Sequence, residues 1–250
     1  MKFEHTLSYC ESYLAANQLF HSFVFRKRAF LFDQQSPMDY LQTAAQRHQE
    51  RVNAWTHGLG LALGLLGVPL LLYHSAATSN TYRWWSLALF GFSMLLVYFT
   101  STLYHSVQEP RWKYVCRIAD HISIYFLIAG THTPFLVYCF PEASARFYLY
   151  LIWGLVVAGL AYKLLFFGRW EWLSVTFYLV MGWLGMITIP QAMEAMPEAT
   201  LYGIILGGLS YTVGVVFYAW HKLPYHHAIW HLFVIGGSLF HFWAIWELVV

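Results

Sequence analysis

Seven apolar stretches, each about 20 residues long, take up nearly all of this chain beyond its first fifty residues. They lie near 54–74, 84–106, 117–140, 147–167, 171–190, 200–220 and 226–249. A helix of about 20 apolar residues crosses a hydrocarbon layer roughly 30 Å thick. In lipid every backbone N–H and C=O must be satisfied within the protein, and a helix does so locally. Pro110, Pro141, Pro197 and Pro224 fall in or beside the gaps, where a helix must stop. The connections are short and leave no room for a second domain. The pattern predicts an all-α integral membrane fold, a seven-transmembrane helix bundle over 48–250 behind an N-terminal extension over 1–47. Only 10% of the residues are charged, against about 25% in a soluble domain, so an ordinary soluble fold is excluded. A net charge of +2 gives no reason to expect a nucleic-acid partner.

The extension is harder to read. Residues 20–32 are aromatic and apolar but broken by Arg26, Lys27 and Arg28, so they resemble no signal peptide. They suit either a helix on an anionic membrane surface or a poorly ordered tail. Met38 precedes a fresh helical segment and is a candidate for the natural start. Cys10, Cys116 and Cys139 share no CxxC spacing and are read as free thiols.

The basic residues set the expected orientation. Lys2, Arg26, Lys27, Arg28, Arg47 and Arg51 precede the first span. Arg111, Lys113 and Arg117 follow the second, Lys163 and Arg169 close the fourth, and Lys222 follows the sixth. These are twelve of the fourteen Lys and Arg, all on one side, and only Arg83 and Arg146 fall on the other. Cytoplasmic loops carry the Lys/Arg excess, so the N-terminus is expected inside and the C-terminus outside.

That same side collects the polar residues of the spans. Ser101 and His105 close the second span, Asp120 opens the third, and His227 and His231 open the seventh. Glu50, Asn53 and His57 enter the first span there. Ionisable groups at membrane depth are costly and are functional candidates by default. His227 and His231 are four apart and share a helix face, the spacing with which two imidazoles bind one metal. His105 is the best third ligand by depth. Three imidazoles with one position left open describe a catalytic zinc. Asp120 is placed to hold or deprotonate its water, and Ser101, one turn before His105, to donate a hydrogen bond. The alternative is a hydrogen-bonded histidine cluster without metal.

The remaining histidines read as structural. His241 and His132 are expected to pack deeper in the bundle, His74 at the outer interface, and His221 and His226 in water. His121 adjoins Asp120 in sequence and is expected to point elsewhere. Gly207-Gly208 and Gly236-Gly237 suit close helix packing, and Glu194 and Glu198 a solvated loop.

Several of these segments carry a resemblance. Glu50-Arg-Val-Asn53-Ala-Trp-Thr-His57-Gly, Ser101-Thr-Leu-Tyr-His105, Asp120-His-Ile-Ser-Ile-Tyr with Gly130-Thr-His-Thr-Pro134-Phe, and His227-Ala-Ile-Trp-His231 with Gly237-Ser-Leu-Phe-His241-Phe run in this order. Together they resemble the progestin and adipoQ receptor family, in its bacterial haemolysin III-like branch, over about 48–246. The resemblance implies seven helices with a cytoplasmic N-terminus and a Zn2+ held by His105, His227 and His231. It implies that Asp120 contacts the zinc's water and that Ser101 is the motif serine. Relatives in the wider superfamily include ceramidases, which implies a membrane lipid or fatty-acyl substrate. The bacterial branch implies the inner membrane and a role in membrane-lipid homeostasis.

Three functions stay open on the sequence. The first is a zinc hydrolase of a lipid amide or ester, with Asp120 and Ser101 catalytic. The second is a non-enzymatic sensor of membrane state in which zinc staples helices. The third is a pore, which needs a polar lining through both leaflets and is disfavoured by polar residues gathered at one end.

Overall fold

The apolar stretches match the helices to within about five residues at most ends, and the exceptions are helix starts. The computed structural model describes residues 44–76 and 80–249. These form α1 Ala44–Ser75, α2 Thr81–Ser106, α3 Pro110–Cys139, α4 Glu142–Phe166, α5 Glu171–Ala192, α6 Glu198–Ala219 and α7 His226–Val249. No strand occurs among the described residues. Six of the helices are long and apolar enough to cross a membrane, and α5 has a shorter apolar run, Glu171–Ile187. The protein is a multi-pass, all-α membrane protein, as its apolar pattern predicts. The basic stretch at Arg26, the candidate start at Met38, and Cys10 lie outside the described residues.

Two helices start well before their apolar stretches. α1 begins at Ala44 and runs for 32 residues, roughly 48 Å at 1.5 Å per residue, which outreaches the hydrocarbon. Its polar first turns contain no proline or glycine, so nothing stops the helix before it leaves the lipid. α3 begins at Pro110, whose missing N–H suits the first helical position. The Glu109 carboxylate caps it by accepting from the backbone N–H of Arg111 at 3.1 Å and of Trp112 at 2.8 Å.

α3 is central and packs against α2, α4, α5 and α7. The main core gathers Phe90, Val97, Leu127, Val234 and Ile245 from α2, α3 and α7. At the polar end, the Thr100 hydroxyl donates to Ser123 at 3.0 Å and so ties α2 to α3. α1 lies against α2 and α7, where Val68 sits over Gly91 and Phe242 over Gly67. Cys116 and Cys139 are buried free thiols.

α6 and α7 approach closely through the glycines that the sequence marks. A Cβ on Gly207 would overlap the His241 ring, and one on Gly237 would lie 2.6 Å from Tyr211. Gly207→Leu is therefore expected to lower the melting temperature of the detergent-solubilised protein by several degrees. Overpacking costs about 1–3 kcal/mol, and each kcal/mol moves a domain of this size by about 2–4 °C. An unchanged melting curve would show that α6 and α7 are not close-packed at this level.

Candidate metal centre

The second and seventh helices bring the predicted ligands to one place. His105 ends α2, and His227 and His231 occupy the first two turns of α7. One ring nitrogen from each of the three lies within 4.8 Å of the other two. The ring centroids stand 5.0 Å apart for His105–His227, 5.2 Å for His105–His231 and 4.6 Å for His227–His231. His105 and His231 are buried, at 3% and 0% exposure.

The hydrogen bonds decide which nitrogens are free. His105 Nδ1 lies 3.3 Å from a Glu50 carboxylate oxygen. A carboxylate accepts, so Nδ1 is the protonated nitrogen. His231 Nδ1 faces the Asn53 carbonyl at 3.2 Å and the Thr56 hydroxyl at 2.9 Å. That hydroxyl donates its own proton to the Asn53 carbonyl at 2.8 Å. His231 Nδ1 therefore donates as well. In both rings Nε2 is left with its lone pair. The Nε2 atoms of His105, His227 and His231 are all buried, and none has a hydrogen-bond partner. Buried acceptors are normally satisfied, so three in one cluster point to a missing common partner. Two imidazoles whose far nitrogens are held by oxygen acceptors, with the His227 ring beside them, offer the donor set of a metal site with part of its outer shell. The residues present fit a metal ion.

α1 supplies that outer shell. Glu50 also accepts from the Lys113 ammonium at 2.5 Å, which pins α1 to α2 and α3 around His105. Lys113 in turn donates to the Tyr104 carbonyl at 3.2 Å. Glu50, Asn53 and Thr56 recur every three residues on one face of α1. His57 stacks on His231 at 3.5 Å between centroids, and neither of its nitrogens has a partner. The sequence places Glu50, Asn53 and His57 at the right level but assigns them no role, and it does not single out Thr56. The three-residue spacing was the available signal. Glu50→Ala is expected to weaken metal binding about 10–100-fold, the usual cost of losing an outer-shell partner. Competition against a graded series of chelators measures this, and unchanged affinity would remove Glu50 from the site.

Ser101 lies one helical turn before His105, and Asp120 shares a cavity wall with His227. Asp120 is 6% exposed and Ser101 1%. The Ser101 hydroxyl makes no hydrogen bond of full geometry, yet it is close enough to the Asp120 carboxylate to interact with it. Contrary to expectation, His121 stays near Asp120. Its Nδ1 lies 4.0 Å from the carboxylate and donates to the Arg117 carbonyl at 2.8 Å.

A cavity of about 390 Å³ opens next to these groups, within the range of small-molecule sites. Asp120, His121, His57 and His227 line it, whereas His105, His231 and Ser101 do not. The rest of its wall is mainly apolar, with Leu127, Phe135 and Leu179 among its residues. His132 and His241, expected as packing residues, also line it. His132 Nδ1 meets the Ile128 carbonyl at 2.8 Å, and His241 Nε2 meets the Ile204 carbonyl at 3.3 Å. His221 and His226, expected in water, border the cavity too, and His226 Nδ1 meets the Phe217 carbonyl at 3.2 Å. His74 is at its expected end of α1, edge-on to Trp246 at 4.9 Å.

Comparison with known proteins places the chain among relatives of one kind. The profile described as haemolysin-III related matches residues 45–242. The Hemolysin-3 homolog of Bacillus subtilis is 40% identical over 79% of this chain and 92% of its own length. Hemolysin-3 of Bacillus cereus is 37% identical over 79% and 90%. The human monocyte to macrophage differentiation factor is 27% identical over 80% and 84%. No solved structure matches the chain.

Proposed function

The chain belongs to the haemolysin-III related family, and from that membership and its histidine cluster we propose a zinc-dependent intramembrane hydrolase that cleaves a lipid amide or ester. The observation that carries this reading is the convergence of three buried, unpartnered Nε2 atoms, with His227 and the Asp120 carboxylate in the wall of one mainly apolar cavity. When bound, zinc supplies a Lewis acid and lowers the pKa of a coordinated water to about 7. The protein's own residues do the rest. Asp120 orients the attacking water and takes up its proton, then returns it to the leaving amine or alcohol. The Ser101 hydroxyl steadies the Asp120 carboxylate. The apolar wall of the cavity takes the acyl chain and excludes bulk water. The one-sided excess of Lys and Arg supports a cytoplasmic N-terminus, and with it a site near the inner leaflet of the bacterial inner membrane. The lipid would then come from that leaflet, and the role would be in membrane-lipid homeostasis.

The test is release of fatty acid from a panel of lipid amides and esters in neutral-detergent micelles. Turnover is expected to stop on chelation and to return with zinc. A well-folded, zinc-loaded protein that hydrolyses no member of the panel would sink the enzymatic reading.

One observation favours a second reading, a non-enzymatic sensor stapled by zinc. His105 and His231 are sealed inside the bundle and do not line the cavity. In that case the ion joins α2 to α7, and Asp120 is dispensable.

A further inference from the structure

Lys163 is a buried cation that neither the histidine cluster nor the ion pairs of the bundle use. It lies one turn from the end of α4 and is 2% exposed. A lysine so placed ordinarily runs its stem along the apolar surface and lifts its ammonium to the interface. Lys163 instead turns inward and lines the cavity. Among the described residues, no ion pair reaches its ammonium. Its contact is the face of Phe167, 5.6 Å from the ring centroid. Glu171 is close enough to interact with it electrostatically, but the Glu171 carboxylate is already held by Arg117 at 2.7 Å. Arg117 and Glu171 also line the cavity and offset each other. Lys163 is left without an ion pair among the described residues.

An unpaired ammonium in a water-poor site is costly, and a bound anion relieves that cost. The cavity next to Lys163 is apolar over most of its wall, with Ile128, Phe135, Val175 and Leu179 among its residues. A cation without an ion pair in the wall of a mainly apolar cavity suits an amphiphile with one anionic end. We propose that Lys163 anchors the oxyanion, carboxylate or phosphate monoester, of a lipid whose chain occupies the cavity. This rests on the cavity being the lipid compartment of the proposed hydrolase, and it names the substrate class as anionic lipids. Lys163 acts as a binding residue, apart from the histidine cluster.

Binding, read without turnover, tests it. The full chain in neutral-detergent micelles is titrated with oleate, oleoyl lysophosphatidate and uncharged monooleoylglycerol, by the fluorescence of its own tryptophans. The wild type is expected to bind at least one of the anionic amphiphiles about tenfold or more tightly over monooleoylglycerol, as a charge-assisted contact should give. The tighter of the two identifies carboxylate or phosphate as the anchored group. Lys163→Met and Lys163→Gln should reduce that preference to less than about threefold, with metal content unchanged, and Lys163→Arg should keep it. Preference that survives both neutral substitutions would assign the anion to another group, such as Arg117 or the histidine cluster, and overturn the proposal. Equal loss for charged and uncharged amphiphiles would make Lys163 a packing residue. Inorganic phosphate that competes as well as lysophosphatidate would make the site one for free ions and overturn the lipid anchor. If the neutral variants do not fold, the wild-type preference still decides, because its absence refutes the anchor. A protein that binds anionic lipids but hydrolyses nothing would fail as a hydrolase and keep this site. A hydrolase indifferent to charge would do the reverse.

Discussion

Alanine in place of His105, His227 and His231 together should strip the protein of its metal. Elemental analysis of the wild type, purified in detergent without added chelator, is expected to give about one zinc per chain. The triple variant should give less than about a tenth of that, because no three-nitrogen set remains to hold the ion. The single variants grade the site. His231→Ala should lose the most, since its Nδ1 is fixed by both Asn53 and Thr56 and its ring is fully buried. That fixed geometry makes it the most preorganised ligand. The melting temperature should fall along with the metal, because α2 and α7 lose their common partner. A well-folded wild type without metal would leave the three Nε2 atoms as orphaned acceptors and would remove the hydrolytic mechanism altogether.

Asp120→Asn should separate the enzyme from the stapled sensor. The amide keeps the size and hydrogen-bonding reach of the carboxylate but cannot take up a proton. If Asp120 is the base, turnover should fall about 10²–10⁴-fold, the range for loss of a positioned general base. Metal content and melting temperature should stay close to wild type, since none of the three Nδ1 or Nε2 contacts in the cluster involves Asp120. Parallel measurement of zinc, thermal stability and fatty-acid release gives the answer. Full activity in the variant would assign the proton to another group and leave Asp120 a structural residue. Loss of zinc along with activity would show that Asp120 supports the ion directly.

The fold was legible where its causes are local. Each apolar stretch produced a helix, and Pro110, Pro141, Pro197 and Pro224 lie at or beside helix starts. The helix start at Pro110 was missed, because hydropathy reports lipid contact while helices end on capping chemistry. Of the site, His227 and His231 were legible from spacing alone, and His105 from depth. His121 was misjudged. Adjacent helix positions diverge by about 100°, but the cavity is wide enough for both Asp120 and His121 to border it. Lys163 was counted as one more charge on the cytoplasmic side, and its burial could not be read from that count.

The sequence by itself determined the membrane class, the seven helices of the described residues and the level at which the histidines gather. These depend on runs of side-chain polarity and on the helical repeat, both properties of contiguous residues. Only the tertiary structure decided that Glu50, Asn53 and Thr56 of α1 take the Nδ1 faces of His105 and His231. It alone decided that three Nε2 atoms are left without partners and that Lys163 turns into the cavity. Those outcomes depend on how each helix is rotated about its axis and against which neighbour it lies. That rotation is set by packing between residues far apart in the chain, such as Val68 on Gly91 and His241 on Gly207.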